Sequence, residues 1–281
     1  MRLATIRTGD DHPTHGGGTR AVLVAEDHVR LLEAPDVVSL IAAGDWRDAR
    51  PGGETIAMEE VTFDAVVRPG KVICVGLNYR THILEMGREL PTVPTLFAKF
   101  ADVLTGPNDD IELPTSSDQV DWEAELGVVI GEPVRHAAAA QAREAIAGYT
   151  VGNDVSMRDW QWRGAKQWFA GKNFEATTPV GPVLVTPDEI DHASDLELRC
   201  RVDGEVMQQA RTSDLLFAPA EIIAYVSTIM TLHPGDLLLT GTPGGVAAGR
   251  DDEPFLQAGQ VLETHLEGVG TCENRLVAES R

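Results

Sequence analysis

Three carboxylates fall on alternate positions in VDWEAELGVVIG, residues 120–131: Asp121, Glu123 and Glu125. Side chains two apart on a strand share a face, with Cα atoms roughly 6.5 to 7 Å apart, so Glu123 and Glu125 can converge on one ion. Asp154 in AGYTVGNDVSMRDWQ supplies a third carboxylate where another strand-like run opens into a loop. Placed together without a counter-charge, three carboxylates repel and one takes up a proton. A hard divalent cation removes that problem; oxygen-only ligation suits Mg²⁺ or Mn²⁺, with about three of six octahedral positions left for water or substrate. By itself this spacing is more often the solvated face of an acidic strand. Asp121 shares the parity and is expected beside the cluster or at the strand entrance. In NYRTHILEMG, His82 and Glu85 are three apart, which places them on one face of a helical turn, as either an exposed pair or an acid-base dyad.

The elements that must position these groups are mostly strands. Apolar β-type runs recur from Val72 onward (KVICVGL, AGYTVGNDVS, LELRCRVDGEVMQQ, DLLLTGTPGG and QVLETHLEGVGT), and Asp203-Gly204 marks a hairpin turn. Two helices interrupt them: AAAAQAREAIAG, which ends at Gly148, and PAEIIAYVSTIM, which opens on Pro219. Irregular alternation favours a mostly β, α+β architecture over a doubly wound one. Residues 1–66 read as a small N-terminal domain of short strands and one helix capped by Asp36, closed by the turn-rich DARPGGE; residues 67–281 read as the catalytic domain.

The chain has 281 residues and a formal charge of −21, which repels phosphate backbones and anionic membranes, so neither nucleic acid nor membrane is an expected partner. Three dispersed cysteines without a CxxC suggest no disulfide framework or zinc site, and the absence of a targeting or spanning pattern suggests a cytoplasmic protein. Only four lysines occur, Lys71, Lys99, Lys166 and Lys172, so each invites a question.

The ordered segments KVICVGLNYRTHILEMG, PTLFAKFADVLTGPNDDIELP, VDWEAELGVVIG, GYTVGNDVSMRDWQ, FAGKNFEATTPVGPVLVT, TSDLLF and LHPGDLLLTGTPGGV resemble the fumarylacetoacetate hydrolase family over roughly residues 69–275. The resemblance implies that family's catalytic β-roll or mixed β-sandwich with a small N-terminal α/β domain, and a homodimer. It implies Glu123, Glu125 and Asp154 as ligands of Mg²⁺ or Mn²⁺. It also implies His82 as a lid base oriented by Glu85, Lys172 as a group that holds an oxyanion or protonates an enolate, and Gln161 and Thr242 as pocket residues. Arg80, next to the lid, would steer an anion. Lys99 is expected to support the pocket, Asn78 and Tyr79 to pack the turn that starts the lid, and Arg158 and Asp159 to position the ligands. Trp160, Trp162 and Trp168 are expected in the core or a dimer contact.

The implied reaction is hydrolysis of a carbon-carbon bond in a small anionic 2,4-dioxo acid, an acylpyruvate such as fumarylpyruvate, to pyruvate and a carboxylic acid. Oxaloacetate decarboxylation and isomerisation or decarboxylation of dienoic diacids pass through the same kind of 2-oxo acid enolate and remain open. Outside that chemistry stand a non-catalytic ligand-binding protein with the same fold, and a zinc hydrolase, whose usual His or Cys ligands this constellation lacks.

Overall fold

The computed structural model describes residues 1–9, 18–44, 46–50, 52, 54–164 and 167–280. Lys166, and Pro51 and Gly53 of the turn-rich segment, lie outside the described residues. Strands dominate, and the architecture is α+β and mostly β. Ten strands form one path in the order Thr55–Ala57, His28–Leu31, Gly18–Val24, Arg2–Thr8, Thr178–Val185, Ile146–Asn153, Ala124–Ile130, Leu237–Leu239, Val72–Gly76 and Thr95–Lys99. Leu104–Thr105 adds in parallel to Thr178–Val185 as the eleventh strand of this sheet. A five-stranded sheet runs Glu205–Arg211, Glu197–Val202, Val261–Leu266, Gly270–Ala278 and Ile111–Leu113.

The central strands Ala124–Ile130 and Ile146–Asn153 are buried at every position, as expected of strands covered on both faces, and this is why they read as continuous apolar runs. Asn153 ties the layers together: its Oδ1 accepts the Glu123 N–H at 2.8 Å and its Nδ2 donates to Thr264 Oγ1 at 2.9 Å in the second sheet. The first 66 residues extend the large sheet, with Arg2–Thr8 lying antiparallel to Thr178–Val185.

Local signals hold in several places. Asp36 caps the helix Val37–Ala42 by accepting the Ser39 N–H at 2.6 Å, Pro219 opens the helix Pro219–Ile229, and Asp203-Gly204 turns with φ of 51° and 80°. The alanine-rich helix is shorter than its composition predicts. It covers Ala139–Glu144, because Ile146 pairs with Ile130 and joins the buried strand, so sheet burial overrides alanine's helix preference.

The expectation of one strand through Asp121, Glu123 and Glu125 is corrected. Val120–Asp121 pairs with Ser156–Met157 in a separate two-stranded ribbon; Trp122 and Glu123 lie outside strands, and Ala124 begins the long strand. Side chains cause the break. The Asp121 carboxylate accepts the N–H groups of Trp122, Ala247 and Ala248 at 2.8, 2.7 and 3.1 Å. The Ala124 N–H goes to Gln208 Oε1 at 2.9 Å rather than to a neighbouring strand.

The N-terminal strands are fastened to the rest by a polar knot. Arg7 donates to Asp109 at 2.6 Å through both terminal nitrogens and to Asp64 at 2.9 Å, while Arg68 also reaches Asp64 at 2.8 Å. Burial pushes both carboxyls up, but Arg68 and Arg7 at Asp64, and Arg7, Thr105 and the Gly106 N–H at Asp109, outweigh it and hold both below the ordinary carboxylate range. Carboxyls depressed in the folded state give stability that is present above their unfolded pKa and lost as pH falls through the folded values. Stability should therefore decline on acidification below about pH 4, the unfolded aspartate value. In urea titrations at stepped pH, the double variant Asp64→Asn/Asp109→Asn should be less stable at neutral pH and show a shallower acid slope; an unchanged slope would rule out this knot as its source.

Candidate active site

Glu123, Glu125 and Asp154 come together at the broken strand. One carboxylate oxygen from each lies within 4.8 Å of the others, and all three side chains are buried. Pairing of Ala124–Ile130 with Ile146–Asn153 sets this: Ala124 faces Asn153 and Glu125 faces Gly152, so Asp154 follows directly at the strand end, where its N–H donates to the Glu123 carbonyl at 2.8 Å.

Three cations balance the carboxylates. Lys172 Nζ donates to Glu123 Oε2 at 2.7 Å and to Asp154 Oδ2 at 2.8 Å, and Lys99 Nζ donates to the other Asp154 oxygen. Arg158 bonds Glu123 Oε1 and Asp121 Oδ2, each at 2.7 Å, and donates to Gln161 Oε1 at 2.9 Å. Burial pushes Asp154 upward, but Lys172 and Lys99 outweigh it and hold the carboxyl low. Burial likewise lowers Lys172, and Asp154 and Glu123 more than reverse this, so the ammonium keeps its proton. Glu125 is different: it accepts one hydrogen bond, from the Gly241 N–H at 2.7 Å, and burial followed by Asp154 and Glu123 pushes its carboxyl well above the ordinary range. Gly241 can approach because it has φ of 101°, and a Cβ there would meet the Val75 carbonyl at 2.9 Å.

The donor set fits a hard divalent cation. It offers three carboxylate oxygens, and Glu125 lacks the cationic partner its neighbours have. Burial, Asp154 and Glu125 push the pKa of the nearby Cys74 thiol up, and the ligand cluster consists of the three carboxylates without it.

A cavity of about 450 Å³ opens from this centre, lined by Glu123, Lys172, Gln161 and Thr242 and also by His82 and Glu85. The helix Arg80–Glu85 carries the last two. Its root is fixed by Asn78, which donates to the Phe217 and Thr240 carbonyls at 3.0 and 2.8 Å and accepts the Phe217 N–H at 2.8 Å. Asp214 then takes the Thr81 N–H and hydroxyl at 3.1 and 3.0 Å. Buried Tyr79 packs at the same turn. His82 and Glu85 flank Gly244: a Cβ on that glycine would lie 3.0 Å from His82 Nδ1 and 3.4 Å from Glu85 Oε2. No direct His82–Glu85 hydrogen bond forms among the described residues. Burial lowers the His82 pKa despite the opposing effects of Glu85 and Glu123, so the imidazole is neutral at neutral pH.

Several placements differ from expectation. Arg80 is exposed and does not line the cavity; the lining guanidinium from this segment is Arg88, two residues beyond the helix cap at Met86. Trp162 and Trp168 line the cavity rather than the core, with Trp168 edge-on to Phe97 at 5.3 Å. Trp160 packs on Phe174 instead. Asp159 turns away to Ser117 at 2.6 Å. Lys99 touches Asp154 directly, a role that the scarcity of lysine hinted at without locating. Gln208, which holds the Ala124 N–H, Thr242 and Pro243, carried no sequence signal, because its partners are distant backbone and loop atoms.

Known proteins place this arrangement in context. Residues 71–277 match a family model described as "Fumarylacetoacetate (FAA) hydrolase C-terminal". A Rattus norvegicus protein named "Oxaloacetate tautomerase Fahd2a, mitochondrial" is 46% identical over 223 residues, covering 79% of this chain and 71% of its own length. A Mycobacterium marinum structure of 2-hydroxyhepta-2,4-diene-1,7-dioate isomerase is 35% identical with a TM-score of 0.81, covering 100% of both chains. A fumarylacetoacetate hydrolase from Exiguobacterium antarcticum is 32% identical with a TM-score of 0.85, covering 99% of this chain and 100% of its own. The mitochondrial label on the rat relative overturns the cytoplasmic expectation, which rested only on the lack of a recognisable targeting pattern. Among the described residues no helix is long and apolar enough to cross a membrane.

Lys172 sits on the short helix Phe169–Lys172, and Gly171 lets that helix press against Met157–Gln161: a Cβ there would lie 2.6 Å from the Met157 carbonyl and from the Gln161 nitrogen. Both are backbone atoms that cannot step aside, so Gly171→Ala should cost about 1–3 kcal/mol in urea unfolding. A variant as stable as the parent would show that the helix can shift freely.

Proposed function

The chain belongs to the fumarylacetoacetate hydrolase family, and from that premise we propose that it is an enzyme of 2-oxo acid enolate chemistry that interconverts the keto and enol forms of oxaloacetate. The observation that carries this reading is a neutral, half-buried imidazole, His82, across one cavity from a buried carboxylate triad. The name of the rat relative points the same way.

Tautomerisation moves one proton and consumes no second reactant. His82 accepts a proton from the carbon next to the keto group; the C–H electron pair becomes the C=C bond, the C=O pair moves to the keto oxygen, and the His82 imidazolium gives its proton to that oxygen, directly or through water, to yield the enol and the neutral imidazole. Glu123, Glu125 and Asp154 would hold Mg²⁺ or Mn²⁺, which would supply Lewis-acid stabilisation of the negative charge that develops on that oxygen. Lys172 stays protonated and fixes Glu123 and Asp154 in place. Glu85, beside the imidazole, favours the proton once His82 has taken it. Gln161 and Thr242 offer polar groups along the cavity wall to orient the acid, and Trp162, Trp168 and Phe97 exclude water from part of it.

Hydrolysis of an acylpyruvate is the second reading, favoured by the presence of both His82 and Glu85 on the helix over the site, which could together activate water. Tautomerisation is preferred because it needs the imidazole alone, and Glu85 stands exposed without a hydrogen bond to it. Parallel assays of oxaloacetate enol decay and of pyruvate release from acetylpyruvate separate the two; pyruvate release without tautomerisation would reverse the order.

His82→Ala should lower kcat/KM for tautomerisation by about 10²–10⁴-fold. Because the His82 pKa is lowered, the acidic limb of the wild-type pH profile should fall below the ordinary histidine value of about 6.5. A limb above that value would assign the base elsewhere. Chelator treatment should abolish turnover, with Mn²⁺ restoring it. Mn²⁺ should also raise the unfolding temperature of the wild type, an effect that Glu125→Ala should remove. Equal stabilisation of both proteins would place the ion at another site.

A further inference from the structure

The cations that line or back the cavity are not equivalent. Lys172 is held between Glu123 and Asp154, Lys99 is held on Asp154, and Arg158 is divided among Glu123, Asp121 and Gln161. Each therefore maintains the carboxylate centre and has little to offer an incoming anion. Arg88 also lines the cavity, is exposed, and has no side-chain hydrogen bond or ion pair among the described residues. It shares this cavity with His82 of the neighbouring helix and with Glu123 of the carboxylate centre. Glu85, three residues before it, lies against Gly244.

An unpaired guanidinium in the binding cavity of a chain with net charge −21 gives that cavity a local positive charge with which to attract an anion. We infer that Arg88 is a specificity residue that receives the distal carboxylate of the substrate, so that the cavity selects 2-oxo diacids over 2-oxo monoacids. This rests on the proposed 2-oxo acid site and deepens it. The keto-acid end lies toward Glu123, Glu125 and Asp154, and the second carboxylate is matched by the guanidinium fork elsewhere on the cavity lining. The cavity exceeds what a four-carbon diacid fills, and its apolar wall of Trp162, Trp168, Phe97 and Val246 leaves room for a longer spacer between the two acid groups. The class thus includes diacids larger than oxaloacetate.

Calorimetric titration of the Mn²⁺-loaded protein with 2-oxoglutarate and 2-oxobutyrate tests this without relying on turnover, since the two share the keto-acid end and differ in the second carboxylate. The wild type should prefer the diacid by about tenfold or more, the yield of one charge-assisted hydrogen-bonded pair. Arg88→Gln should bring the ratio of affinities to about one, and Arg88→Lys, which keeps the charge but not the fork, should give an intermediate ratio. The Arg88 assignment is overturned if the wild type binds both acids equally, or if Arg88→Gln keeps the preference or weakens both acids alike; the proposed function survives each of these results. A wild type that binds neither acid overturns the 2-oxo acid reading itself, and this inference with it.

Discussion

The site depends on the electrostatic balance of a buried cluster. Glu123, Glu125, Asp154 and Asp121 face Lys99, Lys172 and Arg158 in a region closed to water, where an unpaired charge is costly and a paired one is held firmly. Four carboxylates face three cations, and Glu125, without an ion pair among the described residues, is the carboxyl whose pKa is pushed up. The cluster is therefore both a rigid support and a place where a cation is favoured. Removing any one of the lysines or Arg158 would leave a buried carboxylate uncompensated.

That balance accounts for features of the fold that otherwise look irregular. The strand carrying the glutamates breaks at Trp122 and Glu123 because Asp121 is drawn to Arg158 and to the backbone of Ala247 and Ala248, while Asn153 and Gln208 supply the acceptors that a continuous ladder would have provided. The two short helices Arg158–Gln161 and Phe169–Lys172 follow Asp154 closely and bring back the guanidinium and the ammonium that the cluster requires. The helix bearing His82 is fastened separately, through Asn78 and Asp214, so the base belongs to a different support from the triad. Proton transfer between groups on two supports is sensitive to their spacing, and Gly244 leaves His82 and Glu85 the room they occupy.

Much of this was legible in the residues. The E-x-E spacing and the Asp154 segment led to the triad, His82 and Glu85 were visible at helical spacing, and the rarity of lysine drew attention to Lys99 and Lys172. Arg80 and Arg88 show what such reading does not reach. Arg80 opens the six-residue helix and Arg88 follows its cap, and which of the two lines the cavity depends on how the chain leaves that helix, which no local pattern encodes. Gln208 was silent for a similar reason: a glutamine at a strand centre reads as a surface residue until its three partners are known.

By itself the sequence determined the fold class, the family and the identity of the groups available for chemistry, because these follow from composition, from the periodicity of apolar runs and from ordered motifs along one chain. The tertiary structure decided which charges neutralise which. It assigned Asp121 to Arg158 rather than to the triad, committed Lys99 and Lys172 to Asp154 and, among the described residues, left Glu125 and Arg88 without an ion pair. Those outcomes are set by distances of about 3 Å between residues far apart in the chain, and electrostatic strength in a buried site varies too steeply with distance for spacing along the sequence to foretell it.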